Sequence, residues 1–199
     1  MQSILIRPYA PTDEDAVNAL EAGIIVYRPE DADAVAAMFE RARRAQAKGD
    51  RWKPIPPPLP GDEIERFSAF WVAETKFKGQ AQIVGTVAIY PVSADNQLPD
   101  DVPKAQEWLQ RDDVAMLERL RVAALSRRQG IRTSLNATVI AWCRRHGYKT
   151  LVLNTTAAQL PALALYRKLG FQEAFRSFLD KYELVWFDLE LGSPATERR

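Results

Sequence analysis

Residues 127–134 read Arg127-Arg128-Gln129-Gly130-Ile131-Arg132-Thr133-Ser134, between an apolar run (Met116 to Val122) and an amphipathic one (Leu135 to His146). The order predicts a strand, a tight basic glycine turn and a helix N-terminus. A helix N-terminus presents unpaired N–H groups and the positive end of the helix dipole, and the adjacent arginines add fixed charge. That chemistry is anion binding, of the kind that holds pyrophosphate. Cationic side chains are unfavourable at such a terminus unless an anion arrives, which favours a binding site over a plain helix start. One charge at a helix terminus is worth roughly 0.3–1 kcal/mol, so the amides of Gln129, Gly130, Arg132 and Thr133 must act together with Arg127 and Arg128.

Other chemistry is harder to read. The sole histidine, His146, has only Cys143 nearby, too few ligands for a metal, so no metal is expected. No nucleophile–histidine–carboxylate triad is legible. The chain has 27 basic and 26 acidic side chains, a net charge of +1, so any anion site must be local. Neither nucleic acid nor an anionic membrane is expected as a partner. With no apolar run near ~18 residues and no signal-peptide layout, a cytoplasmic protein is expected, as monomer or homodimer. The single cysteine excludes an intrachain disulfide.

The elements that must position the turn follow from periodicity. At 199 residues the chain suits one domain spanning 1–199. Segment 3–50 reads as a strand (Ser3 to Arg7) and two helices. The first starts at a Thr12/Asp15 capping box with Val17, Leu20 and Ile24 inward. The second runs from about Asp31 to Ala47, with Val35, Met38, Phe39 and Ala42 as its apolar stripe. Segment 51–64 is proline-rich and should be a stiff connector rather than a proline-rich ligand for another protein. Phe67 to Glu74 and Gln82 to Tyr90 form a hairpin turning near Lys78-Gly79, with Gly85 marking a bulge or close packing.

Segment 91–113 reads as an insertion carrying a short helix from Val102 to Arg111. The helix after the basic turn should place Ile131, Leu135, Val139, Trp142 and His146 on one side. Thr150 to Leu153 is a strand. Pro161 suits the first position of another helix, with Ala162, Leu165 and Leu169 inward. Phe171 to Arg176 and Glu183 to Leu191 are the last strands, and 192–199 is a frayed tail. The fold class is therefore α/β, a mixed sheet of six or seven strands with helices on both faces. The strand–helix–strand from Met116 to Leu153 forces one parallel pair.

Two segments, in this order, resemble the GNAT N-acetyltransferase superfamily. Leu120-Arg121-Val122, followed five residues after Val122 by Arg127-Arg128-Gln129-Gly130-Ile131, is similar to the family's strand and R/Q-x-x-G-x-G/A turn. Ala162-Leu163-Ala164-Leu165-Tyr166-Arg167-Lys168-Leu169-Gly170-Phe171 is similar to its A-x-x-L-Y-x-x-x-G-F segment. The resemblance is strongest over 114–175, which it implies is an acetyl-CoA-binding core. Three positions depart from the pattern: Arg132 at the second small residue of the turn, Gln159 where asparagine is common, and Met116 where many members carry a glutamate base.

The resemblance implies an acetyl-CoA-dependent N-acetyltransferase, with an amine of a small molecule or peptide attacking directly in a ternary complex. It implies that the backbone of Leu120, Arg121 and Val122 pairs with the pantetheine arm, and that residues Arg127 to Ser134, Ile131 included, hold the pyrophosphate. Asn154, Gln159 and Tyr166 complete the cofactor side. Tyr166, a phenol of ordinary pKa about 10, becomes the acid for the departing thiolate. Glu118, two residues from Met116 on the same strand, should face the same side and serves as base, directly or through water. The competing reading of Glu118 is a paired or rim charge. Glu74, Asp112, Tyr182 and Glu183 are weaker candidates.

A catalytically idle CoA-binding regulatory module is the alternative. A kinase-like nucleotide domain is disfavoured by the lack of G-x-x-x-x-G-K-[ST]. The acceptor pocket is expected from the first two helices, the proline-rich loop, 91–113 and a loop at 177–182. None carries a diagnostic set, so polyamine, amino acid, antibiotic and peptide N-terminus all stay open.

Overall fold

The apolar segments flanking the basic turn become adjacent parallel strands at the centre of one sheet. The computed structural model describes residues 4–14, 16–17, 20, 67–77, 80–93, 98–179 and 181–192. The second predicted helix, the proline-rich segment, the turn at Lys78-Gly79 and the tail beyond Gly192 lie outside these residues. The strands are β1 (Leu5–Pro8), β2 (Ala69–Phe77), β3 (Gln80–Pro91), β4 (Val114–Val122), β5 (Thr150–Thr156), β6 (Gln172–Leu179) and β7 (Tyr182–Glu190). Three described helices are α1 (Pro103–Leu109), α2 (Ile131–Arg145) and α3 (Leu160–Lys168). The seven strands follow the order β1-β2-β3-β4-β5-β7-β6, and only β4 and β5 pair in parallel. The expected mixed sheet is present.

Each face is covered. On one, α2 contributes Ile131, Leu135, Val139 and Cys143, and α3 contributes Ala162, Leu163 and Tyr166, against Val87, Leu120, Val122, Leu153 and Phe187. Burial pushes the Cys143 thiol up to about 12, so it behaves as a core hydrophobe. On the other face, α1 lays Trp108 against Phe175 and Trp186, and Val17 packs with Phe70, Val72 and Ala88. No helix among the described residues is long and apolar enough to cross a membrane.

Several local expectations shift. Asp15 and Ile24 of the first expected helix lie outside the described residues; before it, Asp13 closes a 3-10 turn, its carboxylate accepting the Ala10 N–H at 2.8 Å and the Arg7 guanidinium at 2.7 Å. Arg7 holds that carboxyl below its usual range. Residues 177–182 are not a loop, because β6 runs to Leu179 and β7 begins at Tyr182. Both ends are solvated, with Phe178 and Tyr182 exposed, so burial alternation gave no sign of the extension. In α3 the buried residues are Ala162, Leu163 and Tyr166, with Leu165 and Leu169 only half-buried, and Pro161 is the second helical residue. His146 is exposed and stacks on Trp142 at 3.9 Å.

One irregularity decides which residues of β4 enter the core. Ala88 of β3 lies opposite Glu118, but Thr86 lies opposite Arg121, so β4 carries one extra residue between these pairs. Arg119, at φ 53°, forms this bulge, and the fully buried Thr86 donates its hydroxyl to the Arg119 carbonyl at 2.8 Å. Strict alternation would place Leu120 and Val122 on the face of Met116 and Glu118. The bulge moves them instead to the face of Leu117, beneath α2.

Close approach of α2 also requires a missing side chain on β3. A Cβ at Gly85 would lie 3.0 Å from the Arg121 carbonyl oxygen, 3.1 Å from Ile131 Cγ2 and 3.2 Å from Leu135 Cδ1. Gly85→Ala should therefore cost about 1–3 kcal/mol through overpacking. Urea unfolding with an unchanged m-value checks this; an unchanged midpoint would show that α2 sits farther from β3.

Candidate active site

β4 and β5 pair only through Val114–Thr150, Ala115–Leu151 and Met116–Val152. Beyond these, β4 continues along β3 and β5 continues along β7, so the two strands leave a gap between them. The direction of the β4 backbone there can be read from its neighbours. The Ala123 N–H donates to the Val84 carbonyl at 2.8 Å, and the Arg121 carbonyl faces Gly85 on β3. Backbone groups alternate sides along a strand, so the N–H and C=O of Leu120 and Val122 point away from β3, toward the gap. An extended ligand carrying amides can add there as a short strand would. Asn154, half-buried on β5, is in the unpaired stretch across the gap.

The gap leads to the basic turn. Ala124–Ser126 forms one 3-10 turn, Arg128 adopts φ 61°, and Gly130 at φ 79° starts α2. No side chain caps α2 and no acid lies in its first turn. The amides of Ile131, Arg132 and Thr133 thus face outward without an intrahelical acceptor. Arg127, Arg128, Gln129, Gly130, Thr133 and Ser134 are exposed, and Ile131 anchors the turn in the core. An anion with several oxygens fits this end.

Arg132 points inward. It is half-buried, its Nε is buried without a hydrogen-bond partner, and its guanidinium lies within electrostatic reach of Tyr166, Arg127 and Arg121. Burial lowers its pKa from the ordinary arginine value. One helical turn on, the fully buried Asn136 donates from Nδ2 to the Arg132 carbonyl at 2.8 Å, and its Oδ1 has no partner. A buried donor and a buried acceptor, both unsatisfied, sit beneath the turn. Such groups each cost about 1–3 kcal/mol. They suit a ligand that carries phosphate and amides, so the residues present fit CoA chemistry.

Tyr166 approaches from α3. Its side chain packs on Phe171 and Phe187, with ring centroids 5.7 and 5.8 Å away, and it is 6% exposed. Burial raises its pKa, opposed by the charges of Arg132 and Arg121, so it stays protonated at neutral pH. The Tyr166 side chain is therefore part of the core. Glu118 lies on the opposite face, with Met116, as its position on the strand predicts. There it accepts the Tyr90 hydroxyl at 2.7 Å.

The weaker base candidates are engaged or outlying. Glu74 pairs with Arg7 and Glu183 with Arg176, each at 2.9 Å. Asp112 and Tyr182 are exposed. Gln159 is exposed at the N-cap of α3 and makes no capping bond. Tyr90, Asn136 and Thr86 were missed from sequence. Tyr90 could have been found only by knowing that β3 pairs with β4 in this register.

A cavity of about 840 Å³ meets the turn at Ser126 and Gln129 and extends to Gln82, Asp13 and Arg7. It includes none of Glu118, Tyr166 and Asn154.

Residues 34–171 match the acetyltransferase (GNAT) family, and the chain belongs to that family. It is 40% identical over 115 residues to N-acetyltransferase 8 of Mus musculus, covering 58% of this chain and 43% of that protein. The chain thus spans about half the length of the curated relatives it matches. The fold is similar to an N-acetyltransferase from Staphylococcus aureus Mu50, with TM-score 0.57 and 20% identity, covering 96% of this chain and 99% of that one. It is also similar to yncA from Salmonella typhimurium, solved with its cofactor acetyl-CoA, with TM-score 0.57, 15% identity and 98% of each chain covered.

The unsatisfied Arg132 generates a test without any ligand. Arg132→Met keeps the aliphatic stem and removes the orphaned donor, so the unliganded protein should gain about 1 kcal/mol in urea unfolding. A loss of similar size would mean that the guanidinium has a stabilising partner.

Proposed function

We propose that the protein is an acetyl-CoA-dependent N-acetyltransferase in which an amine attacks the thioester directly within a ternary complex. The observation that carries the reading is the unpaired stretch of β4. Its free backbone groups, at Leu120 and Val122, are followed, across the turn at 124–130, by an uncapped, arginine-rich helix N-terminus. Acetyl-CoA, when bound, supplies the activated acyl group. Residues 114–175 form the segment that would hold it.

Each residue then has a defined task. Arg127, Arg128 and the amides of residues 129–133 hold the pyrophosphate, with Ser134 at the rim. The Arg132 guanidinium gains the anionic partner it lacks. Leu120 and Val122 pair with the pantetheine amides, aided by Asn154 and Gln159 across the gap. The Val122 N–H donates to the acetyl oxygen as negative charge grows on it. Glu118 takes the proton of the attacking amine, directly or through one water, and Tyr166 gives its proton to the departing sulfur.

Glu118 and Tyr166 reach the gap from opposite faces of the sheet, as Met116 and Leu117 beside them do. Separate positions for base and acid suit a single displacement, with no covalent enzyme nucleophile. The acceptor is a small-molecule amine or a peptide N-terminus.

The alternative is an idle CoA-binding module, favoured by Met116 at the family's base position. Thiol release from acetyl-CoA across spermidine, lysine, kanamycin and an alanyl peptide separates the two; binding with no release from any of them would support the idle module. With the fastest of these amines, Tyr166→Phe should lower kcat by about 100-fold or more. The Kd for acetyl-CoA should stay within about twofold, because the phenol acts on the leaving group rather than in binding. An unchanged kcat would remove Tyr166 from the acid role.

A further inference from the structure

We infer that Tyr90 is a positioning residue for Glu118: it anchors one carboxylate oxygen at the mouth of the β4–β5 gap and leaves the other for the amine. The inference rests on the assignment of Glu118 as base. The register places Tyr90 directly opposite Met116, and Ala88 opposite Glu118, so Tyr90 and Glu118 are diagonal neighbours on one face of an antiparallel pair. The Tyr90 hydroxyl donates to Glu118 Oε1 at 2.7 Å, a short bond to a charged acceptor. Such a bond is stronger than one between neutral groups and fixes the carboxylate rotamer.

The tyrosine is itself held. Its ring lies 5.8 Å from that of Phe67, which is 5.8 Å from Phe70, which in turn meets Tyr9 at 5.4 Å. This aromatic row crosses β3, β2 and the N-terminal segment, so the phenol is fixed before any substrate binds. Burial, together with the charge on Glu118, raises the Tyr90 pKa, and the phenol therefore remains the donor. Arg119, in the bulge, is the further charge acting on Tyr90. On the same face, Asp188 of β7 interacts with Lys104 and Glu107 of α1 and with Glu190, not with this pair.

Removing the donor should free the Glu118 carboxylate to change rotamer and so cost turnover without weakening amine binding. A ring that only packed would leave the Glu118-dependent rate in place.

The test compares Tyr90→Phe, Glu118→Gln and the double variant in the full chain, using the fastest amine from the thiol-release panel. Tyr90→Phe keeps the ring, and its circular dichroism and acetyl-CoA Kd should match the wild type. Its kcat should fall about 10-fold while the KM for the amine stays within about twofold, as the loss of a bond that only positions the base requires. Glu118→Gln should lose about 100-fold, and adding Tyr90→Phe should lower it no further. A Tyr90→Phe kcat that matches the wild type, or multiplicative losses in the double variant, would overturn the role of Tyr90. Near-normal turnover in Glu118→Gln would instead remove the base assignment beneath it.

Discussion

The site depends on β4 having different neighbours along its length. Its first half is hydrogen-bonded on both sides, to β3 and β5, and its second half only to β3. A strand with one open edge in the middle of a sheet is costly unless something pairs with it. The bulge at Arg119 falls at the transition between the two halves. It directs Leu120 and Val122 into the core under α2 and leaves their backbone groups toward the gap. Thr86 secures the bulge, and Gly85 lets α2 approach closely enough to aim its N-terminus at the end of the same gap.

Local charge follows the same logic. The chain is almost neutral overall, yet Arg121, Arg127, Arg128 and Arg132 gather around one helix start that has no acid in its first turn. Folding alone would not favour this arrangement, since like charges converge on the positive end of a helix dipole and Arg132 Nε and Asn136 Oδ1 are buried without partners. Membership of the acetyltransferase family agrees with the ligand chemistry that these unsatisfied groups call for.

Much of the fold could be read in the sequence because burial follows periodicity. Ile131, Leu135 and Val139 recur at helical spacing and are all buried, and the glycine turn between Val122 and Ile131 has a local signature. The bulge was not legible. Its left-handed residue is an arginine, and nothing in Leu117-Glu118-Arg119-Leu120 marks a change of face. Alternation alone places Glu118 with Met116 correctly because both precede the irregularity. The Tyr90–Glu118 bond depends on register between strands that are 28 positions apart, which no local pattern records. The length of the β6–β7 hairpin escaped for another reason: its end is solvated, so the hydrophobic pattern stops before the strands do. Arg132 was visible as a departure, but its half-buried position depends on tertiary packing that no local pattern records.

Glu118 and Tyr166 lie on opposite faces of the sheet beside the β4–β5 split, and the basic turn lies at the start of α2. The central claim is therefore that this gap takes acetyl-CoA. Isothermal titration of the full chain with acetyl-CoA, and with ATP as a phosphate-matched comparison, tests it most directly. Saturable one-to-one binding of acetyl-CoA that ATP does not match at millimolar concentration is the expected result. No heat of binding up to millimolar acetyl-CoA, or equal binding of ATP, would contradict it.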